Sequence, residues 1–167
     1  MVKGARVAEG VTIRPAQPAD HKQIVDVIPA WWGGRDLRHA VPRLFLDHFA
    51  DTSFIAEQSG RMTGFLVGFL SPRRPREGYA HFMGVDPAWH GRGIGRLLYE
   101  QFFGLCRAQG RDTVRACTSP INRASVAFHQ KMGFDLVPGD DQSEGIPFIR
   151  DYNRPGDPKV EFVKRLT

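Results

Sequence analysis

His81-Phe82-Met83-Gly84-Val85-Asp86-Pro87-Ala88-Trp89-His90-Gly91-Arg92-Gly93-Ile94-Gly95-Arg96-Leu97-Leu98 is the stretch around which the rest of the chain is organised. It opens as a strand, with Tyr79, His81, Met83 and Val85 on one face and Ala80, Phe82 and Gly84 on the other. Asp86-Pro87 stops that strand, because proline has no N–H to give a sheet ladder. A glycine-punctuated turn follows. From about Gly93 apolar residues recur at three- and four-residue spacing (Ile94, Leu97, Leu98, Phe102, Leu105) until Gln109-Gly110 closes a helix. A strand feeding a glycine-rich turn that opens a helix has a physical reason to hold phosphate. Free amides of the first turn and the positive end of the helix dipole point at the loop. Glycines admit an anion close to the backbone, and Arg92 and Arg96 add charge. The same residues also read as a tight turn with solvated arginines, and the loop alone does not choose between the two.

Spacing excludes two nucleotide classes. A dinucleotide fingerprint wants G-x-G-x-x-G in the first βαβ unit, whereas here the third glycine comes one residue early and the loop lies mid-chain, after two expected helices. A P-loop needs Gly-Lys-Ser/Thr, which is absent.

The 167 residues are enough for one domain with a real core, and we expect a flexible N-terminus over residues 1–10 and a single domain over 11–167. Hydrophobic content of 41% and charged content of 25% are ordinary for a globular protein. No apolar run approaches membrane-spanning length and no signal-peptide core opens the chain, so a cytoplasmic protein without a membrane partner is expected. Cys106 and Cys117 are too few for a disulfide framework and read as small buried residues in a reducing compartment. Neither they nor the six histidines show metal-ligand spacing. The net charge of +5 permits nucleic-acid binding, but the densest basic run, Arg73-Arg74-Pro75-Arg76, has no interleaved aromatics. It reads as a solvated hairpin connection, and nucleic acid is not the expected partner.

Elsewhere, the pattern predicts a strand over Val11–Arg14 and a helix from Pro18 to near Pro29 or the tryptophans that follow. A second helix is expected over Leu37–Phe49, or from near Val41 if Pro42 sits in its first turn. Strands at Ser53–Glu57 and Met62–Leu70 are joined by the tight turn Gln58-Ser59-Gly60-Arg61. A further strand covers Asp112–Thr118. Asn122 caps a helix to Met132, and Gly133 is a left-handed stop. Phe134–Val137 and Lys159–Leu166 are strand-like, and Ile146–Ile149 is a candidate strand between them. The order β-α-α-β-β-β-α-β-α-β-β predicts an α/β (α+β) fold, a central mixed, largely antiparallel sheet with helices on both faces.

His90-Gly91-Arg92-Gly93-Ile94-Gly95 resembles the acyl-CoA pyrophosphate loop of the GNAT (Gcn5-related) N-acetyltransferases, Gln/Arg-x-x-Gly-x-Gly/Ala, departing only at its first position. Asn122-Arg123-Ala124-Ser125-Val126-Ala127-Phe128-His129-Gln130-Lys131-Met132-Gly133-Phe134 resembles a second pattern of that family, Asn-x-x-Ala/Ser-x-x-Phe-Tyr-x-Lys-x-Gly-Phe. It departs at His129, where tyrosine is usual. The element order is also that of the GNAT fold, so the resemblance covers almost the whole chain.

The resemblance implies that His90, Gly91, Arg92, Gly93, Ile94, Gly95 and Arg96 hold the diphosphate of acetyl-CoA, with no metal. Met83 and Val85 would meet the pantetheine where the central strand splays from its neighbour, and the Val85 amide would stabilise the oxyanion. Gly84 inside this strand suggests a bulge or a close backbone approach. Asn122, Ser125 and His129 fall on one helical stripe, which also reads simply as a cap, a surface serine and a surface histidine. By resemblance Asn122 and Ser125 face the acyl-CoA arm, and residue 129 lies near the thioester sulfur. There His129 would protonate the leaving thiolate or donate a neutral N–H to sulfur. His81, where many family members carry glutamate, is the candidate general base that takes a proton from the incoming ammonium. It also reads as a histidine satisfied by a neighbouring strand.

Trp31, Trp32, Arg35, Tyr79 and the loop around Tyr152 are candidate acceptor lining, although adjacent tryptophans also suit a core. The expected activity is acetyl transfer from acetyl-CoA to an amine of a small molecule or peptide, and a homodimer is compatible with it. Two other readings remain open: a non-catalytic acyl-CoA-binding sensor on the same fold, and a basic nucleic-acid-binding domain.

Overall fold

Strand β4 (Glu77–Val85) carries the deciding stretch, and its burial alternates as the sequence predicts. Gly78, Ala80 and Gly84 are buried, whereas Tyr79, His81, Met83 and Val85 on the other face are only half-buried. The computed structural model describes residues 9–167, so the flexible terminus expected over residues 1–10 lies, up to residue 8, outside the described residues. Contacts divide the chain into two compact units, one ending at Leu70 and resuming over Ala80–Leu105, the other made of Ser71–Tyr79 and Cys106–Thr167.

The first unit holds β1 (Thr12–Pro15), α1 (His21–Trp31), α2 (Leu44–His48), β2 (Phe54–Gln58), β3 (Arg61–Leu70), the later part of β4 and most of α3 (Ile94–Ala108). β1, β2 and β3 pair antiparallel in turn. Ser59 and Gly60, both at positive φ, make the two-residue turn between β2 and β3 whose twist suits a hairpin. The core gathers Ile24, Ile28, Val41, Leu46, Ile55, Phe65 and Val67, with Trp31, Trp32, Phe45 and Phe82 packed against it. On α3 the buried stripe is Ile94, Leu98, Tyr99, Phe102, Phe103 and Cys106, while Leu97 and Leu105 are only half-buried.

Helices α1 and α2 each take the later of the limits expected for them. α1 follows a short 3-10 turn at Pro18–Asp20 and continues through Pro29 to Trp31. A proline near a helix end removes a single hydrogen bond, and the chain then closes with Trp32 N–H on the Ile28 carbonyl at 3.0 Å. The second helix, expected over Leu37–Phe49 or from near Val41, follows the shorter alternative and is trimmed further to α2, flanked by 3-10 turns at Arg38–Ala40 and Ala50–Thr52. The cause is Pro42: the residue before a proline is driven out of the α region, and Val41 sits at φ −123°, ψ 67°.

The second unit holds the start of β4, β5 (Thr113–Thr118), α4 (Arg123–Lys131), β6 (Asp135–Leu136), β7 (Asp141–Ser143), β8 (Ile146–Phe148) and β9 (Val160–Arg165). β5 runs parallel to β4 over Glu77–Tyr79 and antiparallel to β9, which also pairs with β6. The strand order is β1-β2-β3-β4-β5-β9-β6, a mixed and largely antiparallel seven-stranded sheet, with β7 and β8 forming a separate hairpin. β7 is absent from the sequence pattern, since Asp-Gln-Ser has low strand propensity. Pairing with β8 through the Glu144-Gly145 turn, both residues at positive φ, makes it a strand. Two arginines of the basic run at 73–76 form ion pairs within this unit, Arg74 with Glu77 at 3.3 Å and Arg76 with Asp112.

Gly84 is a point of close approach. A Cβ there would lie 2.5 Å from Trp32 Cη2 and 2.9 Å from Phe65 Cε1, because Trp32 stacks on Phe82 (centroids 4.8 Å) directly over the glycine. Gly84→Ala will therefore destabilise the fold by about 1–3 kcal/mol, read as a lowered denaturant midpoint with an unchanged m-value. An unchanged midpoint would mean that Trp32 leaves its seat without loss.

Candidate active site

In the first unit β4 ends at Val85, and a one-turn 3-10 segment, Pro87–Trp89, redirects the chain into the glycine loop. Asp86 is buried and its side chain caps this turn, accepting from Ala88 N–H at 2.9 Å; its own amide donates to the Thr63 carbonyl at 2.9 Å. Gly91 and Gly93 take φ +75° and +80°, and a Cβ at either would meet nothing within 4 Å. Both glycines are thus present for backbone conformation and open space. α3 starts at Ile94, with Leu97 N–H donating to the Gly93 carbonyl at 3.0 Å. Among the described residues, no backbone carbonyl outside the helix takes up the amides of Gly91 to Arg96. The Arg92 guanidinium lies 4.5 Å from the centroid of Trp89, a cation–π contact that holds it beside the loop. Open glycines, unclaimed amides and an oriented guanidinium fit a bound diphosphate.

His81 projects from the half-buried face of β4. Its Nε2 lies 2.6 Å from the Ala40 carbonyl, and its ring stacks on Phe45 (centroids 4.2 Å, planes 6° apart). A carbonyl only accepts, so Nε2 carries the proton and the neutral ring keeps its lone pair on Nδ1. Burial pushes the His81 pKa below the ordinary histidine value, outweighing the Ala40 hydrogen bond, which raises it. The imidazole is therefore neutral at physiological pH, oriented by a backbone acceptor and able to take a proton at Nδ1.

In the second unit Asn122 is the N-cap of α4, its Oδ1 accepting from Ser125 N–H at 3.2 Å. Asn122 and Ser125 are half-buried, and His129 is 6% exposed. His129 stacks on Phe162 (4.3 Å, planes 4° apart), and its Nδ1 lies 2.8 Å from the Ser125 carbonyl. The expectation that a neutral His129 gives an N–H to sulfur is corrected by this contact. With Nδ1–H committed to a carbonyl, the neutral ring carries a lone pair at Nε2 and accepts there instead of donating. Burial also lowers its pKa, so the imidazolium that could act as an acid is disfavoured. Nor is His129 a surface residue.

The structure thus brings His81, Met83, Val85 and residues 90–96 together in one unit, and Asn122, Ser125 and His129 in the other. Of the candidate acceptor lining, Trp32 is taken up by packing on Gly84 and Phe82. Tyr79 shares hydrogen bonds with Cys117 and Tyr152, and burial raises the pKa of all three. Cys117 is only half-buried, unlike Cys106. Sequence reasoning missed Ala40 and Phe45, which orient His81, and Trp89, which holds Arg92. No local pattern links Ala40 to His81, since 41 residues separate them. Among the described residues no three His, Cys, Asp or Glu side chains stand together to hold a metal, and no helix is long and apolar enough to cross a membrane.

Comparison with known proteins agrees with this geometry. The chain is 26% identical over 119 residues to L-2,4-diaminobutyric acid acetyltransferase of Halalkalibacterium halodurans, covering 63% of each. It spans about half the length of other curated relatives it matches. Its fold is shared with Ard1 from Thermoplasma volcanium (TM-score 0.77, 20% identity, 95% of this chain and 99% of that one). It is also shared with the diaminobutyrate acetyltransferase EctA from Paenibacillus lautus, solved with L-2,4-diaminobutyric acid and coenzyme A (TM-score 0.66, 22% identity, 91% and 93%). The sequence profile of the Acetyltransferase (GNAT) family matches residues 21–134. With loop, topology and profile in agreement, the chain belongs to the GNAT acetyltransferase family.

Proposed function

We propose that the chain is an acyl-CoA-dependent N-acyltransferase that moves an acetyl group from acetyl-CoA to an amine of a small molecule or peptide. The observation that carries this reading is the loop of Gly91 to Arg96, with unclaimed amides and open space at the entrance to α3. Gly91, Arg92, Gly93, Ile94, Gly95 and Arg96 are assigned to the diphosphate and Met83 and Val85 to the pantetheine, while His90, whose backbone N–H is spent on the Pro87 carbonyl and whose ring lies on Val85, opens the loop without touching the phosphate. Asn122 and Ser125 are assigned to the acyl-CoA arm on the family pattern. The L-2,4-diaminobutyric acid acetyltransferases among the curated relatives support a small-molecule amine over a peptide.

His81 Nδ1 takes one proton from the ammonium, the freed nitrogen attacks the thioester carbonyl, and the Val85 amide receives the developing oxyanion. Collapse breaks the C–S bond, and the second nitrogen proton reaches the thiolate by way of solvent. His129 packs α4 against β9 instead of serving as an acid. The lowered pKa of His129 and its Nδ1–H bond to Ser125 support one second reading, a non-catalytic acyl-CoA binder.

Thiol release from acetyl-CoA across a panel of diamines, amino acids and peptides decides. Release with at least one amine is expected. Tight acetyl-CoA binding without release would establish the binder, and no binding would remove the loop assignment. Asn122→Ala separates the two roles of that residue. Loss of the cap will lower stability by about 1 kcal/mol, and acetyl-CoA affinity will weaken in addition. An unchanged dissociation constant would leave Asn122 a cap only.

A further inference from the structure

Val85 is held in place by the loop that follows it. Its carbonyl oxygen lies 3.1 Å from His90 Nε2, and the next amide, Asp86 N–H, donates to the Thr63 carbonyl at 2.9 Å. Since a carbonyl only accepts, Nε2 is the protonated nitrogen and donates to Val85. The 3-10 turn brings this side chain back to the strand: Trp89 N–H donates to the Asp86 carbonyl at 2.7 Å and His90 N–H to the Pro87 carbonyl at 3.3 Å. The residue after His90 is Gly91, where the unclaimed amides begin. One residue therefore grips the end of β4 with its ring and opens the phosphate loop with its backbone.

We propose that His90 is a positioning residue that couples diphosphate binding to thioester polarisation, by clamping the Val85–Asp86 peptide so that the Val85 amide keeps its aim. This rests on the transferase reading above. With the peptide plane pinned on its oxygen by His90 and on its nitrogen by Thr63, ψ of Val85 and the position of its Cα are restrained, which removes one of the two soft torsions through which the residue's own N–H can swing. Removing the His90 donor frees one edge of that plane. A diphosphate seated on the loop would hold His90 in place, and so hold Val85. Glutamine and arginine, the residues usual at this position in the family pattern, also offer N–H donors, so the histidine preserves the chemistry that the clamp needs.

The test compares wild type, His90→Ala and His90→Gln in two measurements. Kinetics with a working amine separate kcat from KM for acetyl-CoA. Amide hydrogen exchange at Val85 and Asp86, with and without coenzyme A, reports the clamp whether or not the chain turns over. His90→Ala is expected to lower kcat about tenfold, well short of the loss of an oxyanion donor outright. It should change the coenzyme A dissociation constant less than about threefold and speed exchange at Asp86. His90→Gln should restore both readouts. A raised KM with unchanged kcat and unchanged exchange would make His90 a phosphate contact and overturn the proposal, as would failure of glutamine to rescue. Wild type that binds coenzyme A but never turns over would remove the transferase reading alone, and the exchange comparison would still decide the clamp. Wild type that does not bind coenzyme A would overturn both.

Discussion

Gly93→Asp will abolish coenzyme A binding in a protein that remains folded. The backbone at Gly93 is left-handed, at φ +80°, and a Cβ there meets nothing within 4 Å, so the side chain finds room and the strain is conformational only. Aspartate tolerates that region better than most residues, at a destabilisation of about 1 kcal/mol. Its carboxylate would stand at the mouth of the loop, among the amides and beside Arg92, where the phosphate charge is assigned. It would claim the donors and repel the ligand. Gly93→Asn is the control, with equal size and similar backbone tolerance but no charge, and should weaken binding far less. Calorimetry with coenzyme A, beside circular dichroism, reads the result. A folded Gly93→Asp variant with native affinity would end the diphosphate assignment.

His81→Ala will slow transfer about a hundredfold or more at neutral pH, the usual contribution of a positioned general base. The pH dependence follows from the direction of its pKa. Burial lowers it, so the neutral form able to accept a proton is present above a value that lies below the ordinary 6.5. The wild-type rate should rise with pH through that lowered value and reach a plateau by pH 7. If His129 had to be cationic, the rate would instead fall above its own lowered pKa, giving a bell displaced to acid pH. The Nδ1–H bond to Ser125 and the burial of His129 both favour the plateau. In His81→Ala the loss should shrink at high pH, where free amine is abundant. His129→Phe should keep most of the activity, since phenylalanine retains the stack on Phe162. A pH–rate profile of the three proteins checks this set. Full activity of His81→Ala at pH 7 would remove the base, and a falling alkaline limb abolished by His129→Phe would reinstate His129 as the acid.

Much of this was legible locally. Strand alternation at 77–85 and the Asp86-Pro87 stop depend on neighbours in sequence. So do the cap at Asn122, the tight turn around Gly60 and the left-handed stop at Gly133, and all stand where the pattern puts them. The phosphate loop belongs to the same class, because its chemistry is made of its own amides. The errors fell where one interaction overruled another. Of the two starts left open for the second helix Pro42 enforced the shorter, at the expense of the apolar spacing from Leu37, and pairing outranked propensity in β7.

What the sequence by itself determined is the family, the order of elements and the glycine loop between β4 and α3, since these follow from residue type and spacing over a few turns. What only the tertiary structure decided is the state of the three histidines. A ring nitrogen's role depends on what lies within about 3 Å of it. For His81 that partner is Ala40, 41 residues away in sequence, whereas His90 turns back on Val85 and His129 on Ser125 within its own helix. The acceptor carbonyls fix which ring nitrogen of each carries the proton, and burial around two of the rings lowers the pKa of His81 and of His129.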